Sequence, residues 1–181
     1  MNSPQKLPAI RALFVLLYLF AGLPQDKADA ASVKPLSMAP PNVGQAFQQV
    51  LVDFNLYQQF LQVEETPGGQ VLLNAHNPDE ASFFLSRGFC NDLADAICSS
   101  FTWYDRERGR LMLIPCDGLP IIGSAQKNGV LYYIEGRDMI TFQYRFENCY
   151  QPRDAYLYSV RTRLQEGWWK VEALELLELN Q

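Results

Sequence analysis

The chain has 181 residues, 15 Lys/Arg against 20 Asp/Glu, one histidine, four cysteines and a net charge of −5. An acidic balance of this size argues against nucleic acid and against anionic lipid surfaces as partners. The charge is unevenly placed: residues 1–30 hold three of the basic and two of the acidic side chains, leaving 12 and 18, a net of −6, in the remainder.

The N-terminus carries Lys6 and Arg11 ahead of an apolar run from Ala12 to Leu23. That run is too short for a bilayer core of about 30 Å, which needs roughly 20 apolar residues. It suits the apolar stretch of a secretory signal peptide, and Ala28-Asp29-Ala30 supplies a small-x-small cleavage site. Residues 1–30 are therefore expected to be a signal peptide, cleaved to leave Ala31 first, with no stable membrane span afterwards and a secreted or cell-envelope location. The Pro- and Ser-rich stretch 31–42 is expected to be a flexible leader, and residues 43–181 a single domain with a core of useful size.

Val43, Phe47, Val50, Leu51, Phe54, Tyr57 and Leu61 recur at spacings of three and four. They mark the apolar face of an amphipathic helix of about five turns, with Asn42 as cap, ended by Thr66-Pro67-Gly68-Gly69. A short strand is expected over Gln70–Leu73. Asn77-Pro78-Asp79-Glu80 spells a second helix start: Asn77 caps, Pro78 takes the first helical position and Glu80 reaches back. A helical stretch follows to about Ser99; Gly88 weakens its middle and Asn91-Asp92 offers a restart, so it reads as one stretch or as two short helices separated by a bend.

From Phe101 the period becomes two. Phe101–Tyr104 and Gly109–Pro115 form a hairpin around Asp105–Arg108, and Val130–Ile134 is a further strand. Ile140, Phe142, Tyr144 and Phe146 alternate with polar residues in the cleanest half-buried strand. Tyr156–Leu164 and Trp168–Glu178 follow, joined by Gln165-Glu166-Gly167. Trp168 and Trp169 must face opposite sides, one into the core and the other partly out, the outer one beside Arg161 and Arg163. Helices first and strands afterwards predict an α+β fold, with N-terminal helices packed on a curved antiparallel sheet.

Cys90, Cys98, Cys116 and Cys149 form an even set behind an export signal, which argues for disulfides over a metal site. Eight residues of helix put Cys90 and Cys98 about 12 Å apart, beyond the ~7 Å a disulfide spans. A hairpin centred near Glu107 sets Cys98 opposite Cys116. The expected pairs are Cys98–Cys116 and Cys90–Cys149.

Catalytic signals are thin. His76 sits in a polar loop, no GxSxG, HExxH or P-loop spacing occurs, and Asp53, Asp92, Asp95, Asp117 and Asp138 are not paired by spacing. No catalytic residue, metal site or cofactor is expected. Tyr144, Tyr156 and Tyr158 point toward the interior, as core aromatics or, in a cone with an apolar pocket, as partners of a carboxylate in proton transfer. The segment Pro115–Ile122 is the most unusual: Asp117-Gly118 makes a turn, Pro120 stiffens it, and Leu119, Ile121 and Ile122 are apolar without alternation. A rigid loop with apolar tips and one carboxylate suits protein docking.

The order of these elements carries a resemblance. A Phe89-initiated helical segment, the strand Gly109–Pro115, the Asp117-Gly118 loop, the strand Met139–Tyr144 and the ending Gly167-Trp168-Trp169-Lys170-Val171 are similar to the IseA family, secreted inhibitors of bacterial cell-wall DL-endopeptidases, and more loosely to exported cystatin-like and NTF2-like domains. The resemblance spans roughly Asn42 to Leu176. It implies a non-catalytic module that blocks an NlpC/P60-type cysteine peptidase, a cell-wall hydrolase, through the loop Asp117, Gly118, Leu119, Pro120 and Ile121. The NTF2-like alternative implies a small-molecule-binding or proton-transfer cone, which needs an open apolar pocket between helix and sheet.

Overall fold

The computed structural model describes residues 32–147 and 155–179. The stretch 1–30, expected to be a signal peptide, and Cys149 lie outside them. The fold is α+β, with the helices preceding most of the strands and every strand-to-strand ladder antiparallel.

Strand β1 (Lys34–Pro35) and a 3-10 turn (Leu36–Met38) precede helix α1 (Pro41–Phe60). Within the expected leader, residues 34–38 are thus tied to the fold. Lys34 and Pro35 pair with Tyr132 and Leu131, the Leu36 amide donates to the Val130 carbonyl at 2.9 Å, and the Leu36 side chain is buried. An isolated apolar side chain among prolines gives no periodicity, so burial of Leu36 had no pattern to announce it. The helix begins at Pro41, where proline at the first positions suits a backbone whose N–H groups lack intrahelical partners.

The Pro67-Gly68 turn that ends the helical pattern also makes a hairpin. Strand β2 (Val63–Thr66) pairs with β3 (Gly69–Leu72), and Gly69 takes φ +119°, open to glycine without steric cost. Helices α2 (Pro78–Leu85) and α3 (Asn91–Phe101) are separate, the two-helix reading of the weak Gly88 region. At the start of α2, Asn77 Oδ1 accepts from the Glu80 amide at 2.9 Å, and Glu80 Oε2 accepts from the His76 amide at 2.9 Å.

Strands β4 (Thr102–Asp105) and β5 (Arg110–Leu113) make the expected hairpin, but it does not join the later strands. Val71 of β3 pairs with Met112, giving a four-stranded sheet in the order β2-β3-β5-β4. The later strands are β6 (Leu131–Ile134), β7 (Met139–Glu147), β8 (Ala155–Gln165) and β9 (Trp168–Leu179), reached through a 3-10 segment at Ser124–Gly129. They form a second sheet in the order β1-β6-β7-β8-β9. The single curved sheet of the sequence reading is therefore two sheets. The Glu166-Gly167 turn between β8 and β9 has positive φ at both residues (51° and 86°), the backbone that matches a right-twisted two-residue hairpin.

Helix α1 packs across β7 and β9. Its apolar face meets the sheet through Phe47 on Phe142, ring centroids 5.3 Å apart, and Phe54 on Tyr158 at 6.4 Å. Val43, Val50, Tyr57 and Phe60 are buried in the same core as Leu85, Phe89, Leu93 and Ile97. Trp169 packs against this core and Trp168 stands 70 % exposed, so the two follow their expected division. One further connection closes the fold: Phe89 makes a parallel bridge with Val171, with Cys90 N–H donating to Val171 O at 2.8 Å and Val171 N–H to Gly88 O at 2.9 Å.

Candidate functional site

The Pro115–Ile122 loop leaves β5 and runs over the C-terminal half of α1. Its start is tied by the Ile114 amide, which donates to Phe101 O at 2.8 Å. Its middle is tied by Tyr57: the buried Tyr57 hydroxyl accepts from the Leu119 amide at 3.1 Å. Gly118 takes φ +73°, and a β-carbon there would lie 3.3 Å from that hydroxyl. A left-handed turn against a buried phenol thus calls for glycine on both counts. The end of the loop is tied by the Gly123 amide, which donates to Gln126 Oε1 at 3.0 Å.

These ties decide which loop residues face solvent. Pro115, Cys116 and Asp117 are exposed, and Gly118, Pro120 and Ile121 are half-buried. Leu119 and Ile122 are buried in the main core. The expectation of outward apolar tips is corrected at Leu119, because hydrogen bonding of its amide to Tyr57 draws the residue onto α1. Leu119 is an anchor of the loop, and Asp117 is its outward charge.

Burial pushes the Tyr57 phenol well above its ordinary pKa, against the opposing effect of the Leu119 amide, so it remains a neutral hydroxyl. Tyr158 lies beside it, fully buried, its hydroxyl without a hydrogen-bond partner and its pKa pushed up by the same desolvation. Of the other inward candidates, Tyr144 and Tyr156 are half-buried. Tyr144 stacks edge-on against Phe146 at 4.8 Å, a packing role.

One turn before Tyr57 on the same helix face sits Asp53, 1 % exposed. Gln49 Nε2 donates to its Oδ1 at 2.8 Å, and Oδ2 has no partner. The carboxyl abuts Gly88, where a β-carbon would come within 2.6 Å of Oδ1. Burial raises its pKa to about 7, with the Gln49 hydrogen bond and the charge of Lys170 pulling the other way. Lys170 is committed elsewhere, donating to Ser86 O at 2.6 Å. The sequence held a signal for this: Asp53 falls three residues after Val50 and four before Tyr57, inside the apolar stripe, where an acid is out of place.

The expected Cys98–Cys116 bond is absent, and both thiols are free. The β4–β5 hairpin begins only at Thr102, so Cys98 lies in α3 rather than on a strand. Its sulfur sits 3.6 Å from Thr102 Oγ1 and 3.7 Å from Pro78 O, while Cys116 is exposed on the loop. Cys90 is half-buried beside β9, its thiol pushed up by burial and then by Glu172, and its expected partner Cys149 is outside the described residues.

His76 is exposed and bonded to Glu80 at 2.9 Å, part of the α2 cap. Arg161 and Arg163 are held by Glu172, at 3.3 and 2.5 Å. Among the described residues no helix is long and apolar enough to cross a membrane. No protein-family model, curated protein or solved structure matches the chain.

Proposed function

We propose that this chain is an exported, non-catalytic binding module that docks on a protein partner through the outward face of its Pro115–Ile121 loop. The partner class that the IseA resemblance implies is a cell-wall cysteine endopeptidase of the NlpC/P60 type. The observation that carries this reading is the Tyr57–Leu119 hydrogen bond, which holds the loop in one shape before any partner arrives. A preformed loop loses less conformational entropy on docking. Asp117 projects from it as an exposed charge, and the overall acidity favours encounter with a basic cleft chiefly through the association rate.

The alternative cone requires open apolar space between helix and sheet. Where α1 meets β7 and β8, that space is occupied by Phe47, Phe54, Phe142 and Tyr158 in ring-to-ring contact. This packing favours docking over ligand capture.

The test is inhibition of purified NlpC/P60-type endopeptidases by the secreted protein, whose N-terminus mass spectrometry is expected to place at Ala31. Asp117→Lys is expected to weaken inhibition at least tenfold and Ile121→Ala by a smaller factor. Inhibition that survives both substitutions removes the loop from the account. Absence of inhibition across that enzyme class removes the partner.

A further inference from the structure

Asp53 lies where three elements meet: α1, the 86–90 segment and β9. Its surroundings are unusual for a carboxyl. One oxygen has a single neutral donor, Gln49, and the other has none. From the 86–90 segment it meets Gly88, while Arg87 next to that glycine points away, over the Phe84 ring at 5.5 Å. From β9 the facing charge is Lys170, already bonded to Ser86 O. Cys90, at the end of the segment, faces Glu172, Lys170 and Arg163 rather than Asp53. An ionised carboxylate in such a place is left with an undischarged oxygen, whereas a protonated one is tolerated at far lower cost.

The same helix face carries Tyr57 four residues on, and Tyr57 holds the Pro115–Ile122 loop. Any loosening of α1 against β9 therefore reaches that loop through a single hydrogen bond.

We propose that Asp53 is a proton-operated latch: protonated, it lets α1 close on the 86–90 segment and β9, and ionised, it loosens this seam and with it the hold of Tyr57 on the loop. The consequence for partner binding rests on the docking reading given above; the latch itself does not. The raised pKa, about 7, sets the direction and the window. Stability from this group is complete below the ordinary carboxyl value of 3.8, falls as pH rises, and levels off above about 7. Between pH 6 and pH 8 the opening equilibrium of the seam is expected to rise about tenfold.

Two measurements on the intact protein test this. Amide exchange, corrected for the intrinsic effect of pH, is followed in α1 and at Leu119 from pH 5 to pH 9. In the wild type, protection is expected to fall about tenfold from pH 6 to pH 8 and then level off; in Asp53→Asn it is expected to stay flat. A flat wild-type profile, or the same slope in Asp53→Asn, overturns the latch. Carboxyl carbon NMR of the wild type covers the case in which the variant fails to fold: an Asp53 midpoint near 7 supports the latch, and one below 5 overturns it. A pH-dependent seam in a protein that inhibits no endopeptidase sinks the docking reading and leaves the latch standing.

Discussion

Replacing Tyr57 with phenylalanine removes one oxygen atom and leaves the ring, its edge contact with Phe101 at 6.1 Å and its place in the core. What is lost is the acceptor for the Leu119 amide. Leu119 is 9 % exposed, so the stranded N–H has little access to water. A buried donor left unpaired costs about 1–3 kcal/mol, and urea unfolding followed by tryptophan fluorescence should report a loss of that size. The effect on docking is separate. Pro120 has a fixed φ, so release of the tie frees the backbone chiefly at Gly118 and Leu119. At about 1 kcal/mol of ordering per residue, a partner would then bind about 2 kcal/mol, or roughly thirtyfold, more weakly. Amide exchange at Leu119 measures the release directly and needs no partner. If Tyr57→Phe leaves both the unfolding midpoint and the Leu119 exchange rate unchanged, the hydroxyl does not hold the loop and the reasoning fails.

Tyr158→Phe should behave oppositely. Its hydroxyl is buried without a partner, so removing it is expected to leave stability unchanged or raise it by about 1 kcal/mol in the same urea assay. Asn77→Ala removes the acceptor for the Glu80 amide at the start of α2 and should cost about 1 kcal/mol, seen as a fall of about 3 °C in melting temperature.

Much of the architecture was written in local signals. The α2 start follows from Asn77, Pro78 and Glu80 because a cap is satisfied by its own neighbours. The β7–β9 strands follow from alternation, and Glu166-Gly167 from the need for positive φ. The signals that failed are non-local. Strand β2, Val-Glu-Glu-Thr, has both acids exposed, so it shows no buried face and is held only by its hairpin partner. The split into two sheets turns on Val71 meeting Met112, a pairing no periodicity encodes. Leu119 carries no phase of its own, and its inward turn is set by a tyrosine 62 positions earlier. The Cys98–Cys116 expectation extended a real hairpin past its end into helix. Asp53 was legible in the sequence: no second carboxylate pairs with it by spacing, and it is set apart by the apolar company it keeps.

The bridge between Phe89 and Val171 bears on the order in which the chain folds. Lys170 bonds to Ser86 across 84 residues, and loop closure over such distances slows folding relative to local contacts. Synthesis runs from the N-terminus, so the residues of α1, α2 and α3 are made before the sheet that covers them. Until β9 arrives, the backbone groups of Gly88 and Cys90 lack the Val171 partners they have in the finished fold. A chain shortened within β9 before Lys170 loses the Lys170–Ser86 bond and both Val171 backbone bonds at once. Such a product would expose Phe89 and the face of α1 that β9 covers, the kind of apolar surface that quality-control proteases recognise.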